Sequence, residues 1–114
     1  MRRLTVLYDA ECALCRRARG WLARQSQYIP LLFVPAGQEE ARHLFPGLDH
    51  EATLAELTVI ADTGEIYRGP KGWIICLWAL REYRSTALTM RRPGAWWAAQ
   101  SFIRRVSKSR HRLA

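Results

Sequence analysis

The residues best suited to chemistry lie in "LYDAECALCRRARGWLARQ", residues 7–25, where Cys12 and Cys15 stand three positions apart as a short apolar run gives way to a helical pattern. Two thiols so placed can form a redox couple, supply half of a metal site, or serve as small core residues. A helix start presents unpaired backbone N–H groups and the positive end of the peptide dipoles, so negative charge on the first sulfur is favoured there. The second sulfur, one turn on, can attack a mixed disulfide at the first and release the substrate as a thiol. On this reading Cys12 is the exposed nucleophile and Cys15 the more shielded resolving thiol. Arg16 and Arg17 add positive potential beside the pair, whereas Asp9 and Glu11 oppose thiolate formation or help to move protons. Asp9 also has a plainer role open to it, as a turn or N-cap residue.

The other two chemistries have less in their favour. Zinc needs about four ligands, and here His43 and His50 are seven apart with no second cysteine pair. Burial as ordinary core residues suits free cysteines in general, but it makes no use of a helix start. Cys76, inside an apolar stretch, reads as core packing, and His43, His50 and His111 as surface residues. No metal, flavin or nucleotide motif is present, so no cofactor is expected, and electrons would come from another thiol system.

The elements that must position the pair follow from the patterning. "LTVLY", residues 4–8, is a buried strand. The next helix carries Leu14, Ala18, Trp21 and Leu22 on one stripe and Arg16, Arg17 and Arg24 off it, with Gly20 costing about 1 kcal/mol relative to Ala. "IPLLFVP", residues 29–35, predicts a short strand covered on both faces, which makes a parallel unit with a right-handed crossover. Residues 37–45 predict a short helix and "PGLDHEAT" a loop. "ELTVIADTGEIYRG" predicts an antiparallel hairpin turning at Asp62, Thr63 and Gly64, and residues 70–83 a helix begun by Pro70. A last helix is expected over residues 95–106. The order β-α-β-α-β-β-α, a mixed four-stranded sheet with helices on both faces plus an extra C-terminal helix, is the thioredoxin-like α/β arrangement.

These residues carry a resemblance. "YDAECALC" is similar to the Asp-x-x-Cys-x-x-Cys motif of the DCC family of thiol-disulfide oxidoreductases, also described as a domain of unknown function with a thioredoxin-like fold. Asp9, Cys12 and Cys15 match it, followed by Arg16 and Arg17, and "VIADTGEIYRGPKGWIICLWAL" resembles its second shared region. The family commonly has Gly at Ala10, Pro at Ala13 and Ala at Gly72. Ala13 restores an N–H and frees a backbone angle in the active turn, which implies a shifted redox potential. Thioredoxins proper hold a cis-proline against their cysteines. "TLAELTV" has none, so the backbone around Leu57 and Thr58 is expected in that substrate-binding place.

Composition bounds the rest. The 114 residues, 49% hydrophobic, can bury a core without staples. No run reaches the roughly 18 apolar residues of a membrane span, and the apolar segment after the basic start is too short for a secretory signal. Three cysteines do not suit a secreted framework, so a cytoplasmic protein is expected.

The net charge of +8 is concentrated in residues 91–114, which hold seven bases and no acid and leave eleven bases against ten acids elsewhere. A thioredoxin-like domain over residues 1–85 and a basic helical extension over 86–114 are expected. The aromatic, basic extension suits packing on the domain, or docking at an anionic membrane surface or a partner, better than a nucleic-acid backbone. The expected activity is disulfide reduction, with protein or small-molecule disulfides as substrates and a thiol electron donor. The alternative is a binding module with a vestigial cysteine pair, located by that extension.

Overall fold

The computed structural model describes residues 1–90. Strand β1 (Leu4–Tyr8) runs parallel to β2 (Leu31–Pro35) and antiparallel to β3 (Thr58–Ala61), which pairs in turn with β4 (Ile66–Arg68). The sheet order is therefore β2-β1-β3-β4, a parallel crossover half joined edge to edge with an antiparallel hairpin half. This mixed α/β arrangement is the thioredoxin-like one expected from the element order.

Alternation along β1 divides the core. Leu4 and Val6 point to one face, where they meet Leu22 of α1 (Ala13–Arg24) and Cys76 of α4 (Pro70–Trp78), together with Ala79 and Leu80 just beyond it. Leu7 points to the other and packs with Val34, Ile60 and Ala41 of α2 (Glu39–Leu44), with Leu54 of α3 (His50–Ala55) partly buried against them. Period-two alternation thus lets one five-residue strand anchor both layers of helices.

Several expectations change. β2 is an edge strand, and the short helices on its second face cover Val34 but leave Leu32 46% exposed. The expected loop at residues 46–53 contains the start of α3, capped by Asp49, whose Oδ1 accepts the Ala52 N–H at 3.2 Å. Six residues are too few to display a helical period, so the cap was the available signal. α4 ends at Trp78 rather than at residue 83, because the Ala79 carbonyl accepts the N–H groups of Tyr28 and Ile29 and Leu80 forms a bridge with Gln27. A further helix, α5 (Arg84–Met90), crosses the boundary expected at residue 85, and its Ala87 is wholly buried. The helix expected over 95–106 lies outside the described residues. Among the described residues no helix is long and apolar enough to cross a membrane.

Two turns hold the hairpin half in place. Asp62 Oδ1 accepts the N–H groups of Arg2 (3.0 Å) and Arg3 (3.4 Å). The Arg2 bond is the main reason that this carboxyl titrates below its usual range. At the far end Gly69 adopts φ 58° and ψ −127°, donates its N–H to the Leu57 carbonyl at 2.8 Å and begins α4. A Cβ there would lie 2.8 Å from Glu56 Oε2. Gly69→Ala is therefore expected to lower stability by about 1–3 kcal/mol, seen as a lower denaturation midpoint with an unchanged slope.

Candidate active site

The cysteine pair sits where the chain leaves the central strand. A tight turn closes with the Cys12 N–H on the Asp9 carbonyl (3.2 Å), while Asp9 Oδ1 accepts the Glu11 N–H (3.1 Å). Arg16 reaches back from the first turn of α1 to donate to the Ala10 carbonyl at 2.8 Å. Cys12 is the N-cap of α1: its backbone is extended, its carbonyl accepts the Arg16 N–H, and its Sγ accepts the Cys15 N–H at 3.3 Å. A side-chain acceptor is what a helix start requires, and here a sulfur fills the place usually held by serine or aspartate. Cys12 and Cys76 are free thiols in this structure.

The two sulfurs sit in opposite surroundings from those expected. Cys12 is 1% exposed, whereas Cys15 is only partly buried. Turning inward to cap the α1 amides takes the first thiol off the surface. The second opens instead on a narrow cleft lined by Asp9, Cys15, Arg19, Glu56, Leu57 and Trp73, among others. Its volume, about 30 Å³, suits a single water-sized group. A side-chain sulfur fits such a slot.

Of the predicted residues, the structure brings Asp9, Cys15 and Leu57 to one cleft. The Asp9 carboxylate has both roles open to it, since it braces the turn and lines the cleft. Arg16 holds the turn, and Glu11 and Arg17 are exposed beside it. Thr58 is buried in β3, its hydroxyl donating to the Glu56 carbonyl at 3.3 Å.

Arg19, Glu56 and Trp73 were not singled out as site residues. Arg19 spreads its guanidinium over the rings of Phe33 (5.3 Å) and Tyr8 (5.8 Å), which places a cation on the cleft wall. Helical spacing could have found it, because Cys15, Ala18, Arg19 and Leu22 share one face of α1 and all four line the cleft. Glu56 had a weaker signal, as the neighbour of Leu57.

The remaining thiol and histidines lie elsewhere. Cys76 is fully buried, and burial pushes its pKa up to about 12. Alkylation of the folded chain at mildly alkaline pH is expected to spare Cys76, with modification only on unfolding, as peptide mapping would show. His43 is exposed. His50, expected at the surface, is 6% exposed, with Nε2 2.8 Å from the Phe45 carbonyl. It packs inward because it opens α3 directly behind the Asp49 cap. His111 lies outside the described residues. Among the described residues no three His, Cys, Asp or Glu side chains converge as metal ligands would.

Comparison with known proteins gives one match. The family model described as DCC1-like thiol-disulfide oxidoreductase matches residues 6–114, taking in both cysteines and the basic C-terminal segment. No curated protein and no solved structure matches the chain.

Proposed function

The chain belongs to the DCC1-like thiol-disulfide oxidoreductase family, and on that footing we propose that Cys12 and Cys15 form a dithiol-disulfide couple that reduces disulfides in the reducing cytoplasm. The observation that carries the reading is the sulfur cap. Cys12 Sγ lies 3.3 Å from a helix N-terminal amide, and the neighbouring Cys15 opens on a cleft. Such an amide favours negative charge on the sulfur that it meets.

In one cycle the two thiols lose two electrons and two protons and become a Cys12–Cys15 disulfide, while a substrate disulfide is cleaved to two thiols. A second dithiol, or two equivalents of a small thiol, restores the starting state. Asp9, within the cleft, relays protons between sulfur and solvent. Arg16 fixes the turn, and Glu11 and Arg17 set the local potential. Leu57, with Thr58 behind it, positions the substrate backbone opposite the pair.

Assay of the full chain against a protein disulfide, with dithiothreitol as donor, tests this reading. Cleavage well above the rate with dithiothreitol alone is expected. Equal rates with and without the protein would overturn the proposal and favour a binding module whose cysteines are vestigial.

A further inference from the structure

We propose that a basic and aromatic patch formed by Tyr28, Trp78, Arg81 and Arg84 docks the protein on an anionic phospholipid surface. This inference is independent of the redox reading and goes beyond it.

Backbone pairing builds the patch. The chain between α1 and β2 runs against the chain that follows α4. Gln27 bridges to Leu80, the Tyr28 and Ile29 N–H groups donate to the Ala79 carbonyl (2.8 and 3.2 Å), and the Arg81 N–H donates to the Ser26 carbonyl (2.9 Å). Tyr28, 50% exposed, is thereby set beside two cations. The Arg81 guanidinium lies 4.4 Å from the centre of its ring, and that of Arg84 lies 4.6 Å away. Arg84 also lies 4.2 Å from the Trp78 ring and donates its Nε–H to the Trp78 carbonyl at 2.9 Å. Such stacking holds a guanidinium in place without cancelling its charge.

Charge complementarity sets the sign of the occupant. Among the described residues neither Arg81 nor Arg84 forms an ion pair. The sequence holds no acid between Arg16 and Gln38, and from Ile66 onward only the exposed Glu82. Beyond α5, residues 91–114 add seven bases and no acid, which strengthens attraction to a negatively charged leaflet.

Two features favour a lipid surface over a nucleic acid. Guanidiniums already occupy the Tyr28 ring, so a base would have to displace a cation in order to stack there. Tyrosine and tryptophan beside bases also match the depth at which a bilayer passes from phosphate to hydrocarbon. Leu88, 49% exposed and one turn beyond Arg84 on α5, continues that face with an apolar side chain.

Docking here also sets orientation. β1 and β2 both begin beside the patch, where the Leu4 N–H donates to the Pro30 carbonyl (3.0 Å), whereas the turn bearing Asp9 and Cys12 follows the far end of β1. A strand of this length spans about 17 Å. The docked domain therefore holds its cysteine pair away from the lipid, on the aqueous side.

Co-sedimentation of the full chain with vesicles tests the proposal, comparing phosphatidylcholine alone with phosphatidylcholine mixed with phosphatidylglycerol. Binding to the mixed vesicles only is expected, weakening as salt is raised. Arg81→Gln with Arg84→Gln should weaken it at least about tenfold, with circular dichroism confirming the fold. The single change Arg81→Glu leaves the Arg84 bond to Trp78 in place and should weaken binding likewise, which keeps the test decisive if the double variant unfolds. Unchanged binding by a folded variant, or equal binding to both kinds of vesicle, would overturn the proposal. So would binding to a duplex oligonucleotide but to neither vesicle.

Discussion

Replacing either Cys12 or Cys15 with serine is expected to bring catalysed disulfide reduction down to the uncatalysed rate, because a hydroxyl can neither attack a disulfide nor close the internal one at neutral pH. The Cys12 variant is informative because it separates chemistry from folding. The Cys12 side chain caps α1 by accepting the Cys15 N–H, and serine is among the best N-cap residues. Loss of activity should therefore come with little loss of stability. A matched pair of measurements, turnover and thermal unfolding, checks this. Retained turnover in either variant would remove that sulfur from the reaction.

The largest effect on stability is expected at Leu22. It is 2% exposed, belongs to the core cluster with Leu4, Val6 and Val59, and lies beneath the cleft two turns along α1 from Cys15. Leu22→Ala should cost about 2–5 kcal/mol, a large part of the roughly 5–15 kcal/mol that holds a domain of this size. The denaturant midpoint should fall with an unchanged slope. Leu32→Ala, on the exposed side of β2, should stay within about 0.5 kcal/mol. Equal losses at the two positions would mean that α1 is not held by its buried face.

Much of this architecture could be read before any coordinates. β1, α1 and the hairpin carry patterns longer than the noise of single residues, and Pro70 marks the start of α4. Short elements were harder. α3 spans less than two helical turns, so only its Asp49 cap could have announced it. The apolar run 29–35 looked buried on both faces because its composition does not reveal that β2 closes the sheet. The position of the cysteines at the start of α1 was legible from the junction of two patterns. Their relative exposure was not. Which sulfur faces inward depends on the rotamer that caps the helix, a three-dimensional choice between satisfying an amide and meeting solvent. Glu56 and Arg19 reach the cleft for a related reason, since the fold brings the end of α3 to the same cleft as one face of α1.

In the proposed cycle Cys12 and Cys15 are one reversible couple, and equilibration of the full chain across a series of glutathione redox buffers tests that most directly. Quenched samples, resolved by mass and mapped by peptide, should show the two thiols disappearing together in a single transition. The product should be a Cys12–Cys15 disulfide that reducing buffers reopen, with Cys76 remaining a thiol throughout. A pair that stays reduced until the chain unfolds, or sulfurs that oxidise separately or onto Cys76, would contradict it.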